Sequence, residues 1–125
     1  MKTDLIWAMS VPPTALFHSP TFAILPKREC QITIEYEGEE GDHERKALQF
    51  SGCESFRCTY MNALSPEQIK AAYGKVVSIP ESAWLSEIVA RLSQAHVESM
   101  SLRHFMICFD DGPCYEFICR KFVAN

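Results

Sequence analysis

At 125 residues the chain has the length of one ordinary domain, long enough to enclose a substantial core. Its 47% apolar and 22% charged residues exclude global disorder, and no stretch approaches the roughly 18 uninterrupted apolar residues of a membrane-spanning helix. A formal net charge of −4 argues against a nucleic-acid binder that relies on a basic surface.

The first residues, MKTDLIWAMSVPPTALF, carry one lysine, an early Asp4 and a Pro12-Pro13 break. A secretory signal needs a longer clean apolar run, so a cytoplasmic protein is expected. Residues 4–9 have the pattern of a short strand, and prolines at 12, 13, 20 and 26 oppose long regular elements. Residues 1–26 are therefore expected to form an irregular, proline-rich arm laid across the domain, with one edge strand.

From Gln31 to Glu37 the chain alternates, with Ile32, Ile34 and Tyr36 on one face and Thr33, Glu35 and Glu37 on the other, the pattern of a half-buried antiparallel strand. A charged loop over 38–42 leads to a returning strand with Leu48 and Phe50 inward. A third strand over 53–61 is expected to bury Phe56, Cys58 and Tyr60 and to complete a meander. Ser65-Pro66-Glu67-Gln68 is a capping box with proline at the first helical position, and Gly74 is placed to end that short helix. Residues 75–79 form a strand-like run stopped by Pro80. A main helix is predicted over 82–96, where Trp84, Leu85, Ile88, Val89 and Leu92 share one face.

The chain closes on LRHFMICFDDGPCYEFICRKFV, two apolar strands about an Asp-Gly turn. A register with Phe109 facing Tyr115, Ile107 facing Phe117 and Phe105 facing Cys119 gathers the aromatics on one face. It leaves His104, Glu116 and Arg120 on the other, read as the solvent side. These elements, in one domain over 1–125, predict an α+β fold: a single antiparallel sheet, meander plus C-terminal hairpin, packed by one long and one short helix.

Motifs that carry chemistry are few. Walker, dinucleotide, nucleophile-elbow, EF-hand and H-E-x-x-H patterns are all missing from the sequence, so no cofactor or metal is expected. The six cysteines miss the C-x2-C spacing of zinc knuckles, and Cys53-x4-Cys58 and Cys114-x4-Cys119 put each pair on opposite faces of a strand. With no export signal they are expected as reduced, structural thiols. A cysteine enzyme using Cys108 or Cys114, with His104 as base and Asp110 or Asp111 as orienter, fails on geometry, because His104 lies roughly 20 Å from the turn at about 3.3 Å per residue.

One feature stands out in the charges. Glu35, Glu37, Glu39, Glu40, Asp42 and Glu44 fall within ten residues that hold no lysine or arginine, whereas the rest of the chain has twelve basic residues against ten acidic. Such a run is either a solvated hairpin tip that discourages edge-to-edge aggregation or a surface that steers a basic partner. The closing run HFMICFDDGPCYEFICRKF resembles the C-terminal hairpins of small bacterial proteins, some of which are immunity proteins that neutralise a cognate toxin by binding it. The resemblance runs from Trp84 onward and has no catalytic motif to carry over. It implies a small cytoplasmic α+β protein acting by occlusion on a protein partner, a basic toxin domain. The function expected is thus non-enzymatic protein binding through the six carboxylates. The alternatives are a small-ligand domain with a pocket between sheet and helix, lined by Tyr36, Phe56, Tyr60 and Trp84, and, behind it, a cysteine-dependent enzyme in an arrangement other than the compact one set aside above.

Overall fold

The last hairpin decides the architecture, because its strands are buried on both faces. The computed structural model describes residues 1–92, 101–110 and 112–125. In it β7 (Arg103–Cys108) turns Phe105 and Ile107 one way and His104, Met106 and Cys108 the other, and all five are buried. The same holds in β8 (Pro113–Cys119), with Tyr115, Phe117 and Cys119 opposed to Cys114, Glu116 and Ile118. Strands hidden on both sides need a layer on each.

One layer is a second sheet. Among the described residues the strands form two antiparallel sheets rather than the single one expected. The first has the order β1-β6-β7-β8-β5, with β1 (Asp4–Ala8), β6 (Lys75–Ser78) and β5 (Ser55–Tyr60). The second has the order β2-β3-β4-β9, with β2 (Thr21–Leu25), β3 (Glu29–Glu37), β4 (His43–Ser51) and β9 (Lys121–Ala124). They pack face to face. Ile32, Ile34, Tyr36, Leu48 and Phe50 of the second sheet meet Phe105, Ile107, Tyr115 and Phe117 of the first, and the rings of Phe50 and Phe117 stack 3.9 Å apart.

The other layer is helical. Helix α1 (Pro66–Ala72) is capped as expected: Ser65 Oγ accepts from Gln68 N–H, and Gln68 Oε1 accepts from Ser65 N–H. Its Ala72 closes a second, smaller core with Val77, Ile79, Met106, Cys108 and Cys114 on the outer face of the first sheet. Gly74, at φ +67°, turns the chain from this helix into β6, with Pro13 packed so close that a Cβ would lie 3.0 Å from its ring. Helix α2 (Ala83–Arg91) starts at the cap Ser82, whose Oγ accepts from Leu85 N–H, and Leu92 is already extended. The expected long helix is thus a short one, and the remainder of its predicted span, 93–96, lies outside the described residues.

Four further expectations are corrected. The arm 1–26 holds the expected strand as β1 but is less irregular than expected: β2 is a second strand, the two form edges of different sheets, and the prolines flank these strands instead of interrupting them. There is no three-strand meander, because β4 pairs with β9 on its free side while β5 crosses to β8. Phe56, Cys58 and Tyr60 on β5 are exposed rather than buried, since β5 lies at the sheet edge. Finally, the closing hairpin pairs Cys108 with Cys114, Ile107 with Tyr115 and Phe105 with Phe117, two residues from the expected register. A two-residue slip preserves which side chains share a face, so the division into an aromatic and a His104/Glu116 face stands. That second face, however, is covered.

Candidate functional site

Strands β3 and β4 are paired over their full length, Tyr36 facing Glu44 and Glu37 facing His43, so the hairpin carries its charges as a continuous tip beyond the core. The turn is tight. Gly38 N–H donates to Asp42 O at 2.8 Å, and Gly41 N–H donates to Gly38 O at 3.0 Å. Gly41 sits at φ +80°, and a Cβ on Gly38 would lie 2.6 Å from Asp42 Oδ1 and 2.8 Å from Glu44 Cγ. A side chain at Gly38 would push the Asp42 and Glu44 carboxylates aside, and the positive φ at Gly41 favours glycine there.

Between this tip and the segment that follows β1 runs an open groove of about 490 Å³. Glu37, Glu39, Glu40, Asp42 and Glu44 line it, together with Ser10, Val11, the buried Tyr36 and a single cation, Lys46. Five of the six carboxylates singled out in the sequence therefore converge on one concave surface.

The sixth, Glu35, does not join them. It faces the outer side of the second sheet, where Oε2 accepts from His18 Nε2 at 2.6 Å and Oε1 accepts from His43 Nε2 at 2.8 Å. Bonding to His43 and His18 holds the Glu35 carboxyl below the usual range. His18 also donates from Nδ1 to Ser19 O at 2.8 Å. A ring that donates from both nitrogens is favoured as the cation, and the His18 pKa is raised, first by that backbone bond and then by Glu35. The contact ties the arm to the hairpin.

The four residues expected to line a ligand pocket are not brought together. Tyr36 floors the acidic groove. Phe56 rests against Phe22 and Phe117 on the inner side of the first sheet, and Tyr60 is exposed farther along the same strand. Trp84 lies on the opposite, outer side of that sheet, edge-on to His104 at 5.1 Å and beneath the guanidinium of Arg57 at 4.2 Å. The pleat puts neighbouring residues of β5 on opposite faces, so Phe56 and Arg57 cannot serve one pocket.

Trp84 and Arg57 lie over a buried polar network that the sequence reading assigned to solvent. Arg57 donates from Nε to Glu116 Oε2 at 2.8 Å and from Nη2 to Glu116 Oε1 at 3.1 Å. Glu116 Oε1 also accepts from His104 Nε2 at 2.8 Å, and His104 Nδ1 lies 2.6 Å from Ser82 Oγ. Burial pushes the Glu116 pKa up, but the bonds to His104 and Arg57 outweigh it and hold the carboxyl below its ordinary value. Serine, imidazole and carboxylate in line are the parts of an acyl-transfer relay. Here, though, Ser82 Oγ is occupied as the cap of α2, Arg57 neutralises the carboxylate, and all three groups are buried. The arrangement pins the start of α2 to the sheet. The signal that could have found it was the placement of His104 and Glu116 as diagonal neighbours on the same face of adjacent strands.

The cysteines are all free thiols. Burial raises Cys30 to about 12, and contact with Cys119, then burial, raises Cys53 further. Cys114 is raised by its neighbour Cys108 and by burial. Thiols held protonated in this way are weak nucleophiles. Among the described residues no group of three or more histidine, cysteine or carboxylate side chains is arranged to hold a metal ion, and no helix is long and apolar enough to cross a membrane. Comparison with protein-family models, curated proteins and solved structures finds no match for this chain.

Proposed function

We propose that the chain is a non-enzymatic binding domain whose acidic groove receives a basic segment of a protein partner, acting by occlusion in the manner of the immunity-type proteins that its C-terminal hairpin resembles. The observation that supports this reading is the convergence of Glu37, Glu39, Glu40, Asp42 and Glu44 on one groove, with Lys46 the only cation among the described residues that line it. Like charges held this close repel one another and gain nothing from the core. A cationic partner relieves that repulsion and is steered toward it from beyond contact distance.

The test replaces Glu37, Glu39, Glu40 and Asp42 with Gln or Asn. Because these side chains lie outside the core, the melting temperature is expected to stay level or rise slightly. Chemical shifts of Ser10, Val11, Tyr36 and Gly38 should move when a lysine- and arginine-rich peptide is titrated into the wild type. They should stay still in the variant and with an acidic control peptide. The wild-type response should also weaken with salt, since exposed charges are screened beyond roughly 8–10 Å at physiological ionic strength. Shifts scattered over the surface, or equal in the variant, refute the groove as the binding site.

A further inference from the structure

We infer that β5 is a homodimerisation edge, pairing antiparallel with β5 of a second copy to join two five-stranded sheets into one. The surface is separate from the acidic groove. Among the described residues β5 ends its sheet, so half of its backbone donors and acceptors have no ladder partner there. Its inner-face side chains are incompletely covered: Phe56 is 39% exposed beside Phe22 and Phe117, Tyr60 is 69% exposed, and Cys58 between them is exposed. Ile24, on the facing edge strand β2, is 66% exposed and lines one groove of about 340 Å³ with Phe56. Arg28, Glu29 and Glu54 share the lining of that groove, so the apolar residues of the two edges are neighbours with a charged rim.

The other edges carry devices that discourage strand addition. β1 is broken by a register shift between Leu5 and Trp7, β9 is four residues long and opens on Lys121, and β2 is bracketed by Pro20 and Pro26. β5 has none of these, and the charge of Arg57 is turned to the outer face, where Glu116 and Trp84 hold it.

The sequence of β5 is matched to itself. In an antiparallel pair centred on Cys58, Phe56 of each copy faces Tyr60 of the other and Arg57 faces Thr59, so aromatics meet aromatics and no charge meets its like. Centring on Arg57 would oppose two guanidinium groups, which selects the Cys58 register. At roughly 150–250 Å² per aromatic side chain, the exposed parts of Phe56 and Tyr60 offer on the order of 200 Å² per copy before Ile24 is added. That falls short of the roughly 800 Å² per partner of a standard stable interface, so the dimer is weak and concentration-dependent.

Sedimentation of the full chain from low to high micromolar concentration should show the average mass rising reversibly from 14.2 kDa toward twice that value. Tyr60→Lys should remain monomeric with an unchanged melting temperature. A short bis-maleimide should link the dimer through Cys58, the one exposed cysteine, and Cys58→Ser should abolish the link. A monomer at every concentration overturns the inference. So does a dimer that survives Tyr60→Lys, or one that cross-links equally well without Cys58.

Discussion

Replacing Arg57 with Met tests whether the Glu116 network is a fixed ion cluster. Methionine keeps the apolar stem over Trp84 but removes two charge-assisted hydrogen bonds and the cation stacked on the indole. Glu116, 1% exposed, is left with His104 as its only polar partner of the two. Removing one member of a buried pair costs about 3–5 kcal/mol, because a buried charge goes uncompensated. The Arg57 side chain is 46% exposed, so solvent screening already weakens the pair, and about 2–3 kcal/mol is expected here. Glu116→Gln should cost less, since the half-exposed guanidinium it strands can turn to water. The double variant should cost less than the two singles combined. The pH dependence carries a definite sign. The folded-state pKa of Glu116 lies below its unfolded value of about 4.5, so its contribution is fully present above that pH and is lost as pH falls through the folded value. Without Arg57 the carboxyl titrates higher, so the stability gap between wild type and Arg57→Met widens as pH rises from 4 toward 7. Urea denaturation across that range measures both quantities. A gap below about 0.5 kcal/mol that does not change with pH would refute the network as a stabilising ion cluster.

Two smaller perturbations follow from the fold. Trp84→Ala should cost about 1–2 kcal/mol rather than the roughly 3–5 kcal/mol of a core aromatic, because Trp84 is half-buried over His104 and Arg57; full unfolding at room temperature by circular dichroism would contradict this placement. Lys27 and Arg28 both have positive φ in the turn between β2 and β3, at 64° and 60°. Lys27→Gly should therefore stabilise by up to about 1 kcal/mol, seen as a higher melting temperature, and a lower one would show that the turn is not strained.

The elements legible in the sequence were those whose signal is local. The capping box at Ser65, the alternation of β3, the glycine at 74 and the two faces of the closing hairpin are all dictated by neighbours in the chain, and they appear as expected. What failed was long-range. The meander assumed that β5 pairs with the strand before it, yet β4 is claimed by β9 from the far end of the chain. Of the arm's two edge strands β1 was expected, whereas β2 was hidden because the prolines at 20 and 26 weigh against regular structure, although here they mark its ends. The second layer was hidden by Glu116. A glutamate and a histidine on one strand face suggest water, and only the approach of Arg57 and Ser82 from distant segments makes their burial tolerable.

The acidic run was the one functional candidate visible in composition, but composition could not sort its members. Position along the hairpin does. Tyr36 and Glu44 share the inner side with Ile34, while Glu35 points out beside His43 and the arm's His18. Glu37 has the parity of Glu35, but it ends β3 beside the turn and lines the groove. The run thus divides into a groove of five repelling carboxylates and a single carboxylate that holds the arm in place. Glu35 neutralised on its own should then loosen the arm at His18 and leave the field of the groove almost unchanged. The other five can be neutralised with the opposite result, so fold and binding surface can be altered separately along one hairpin.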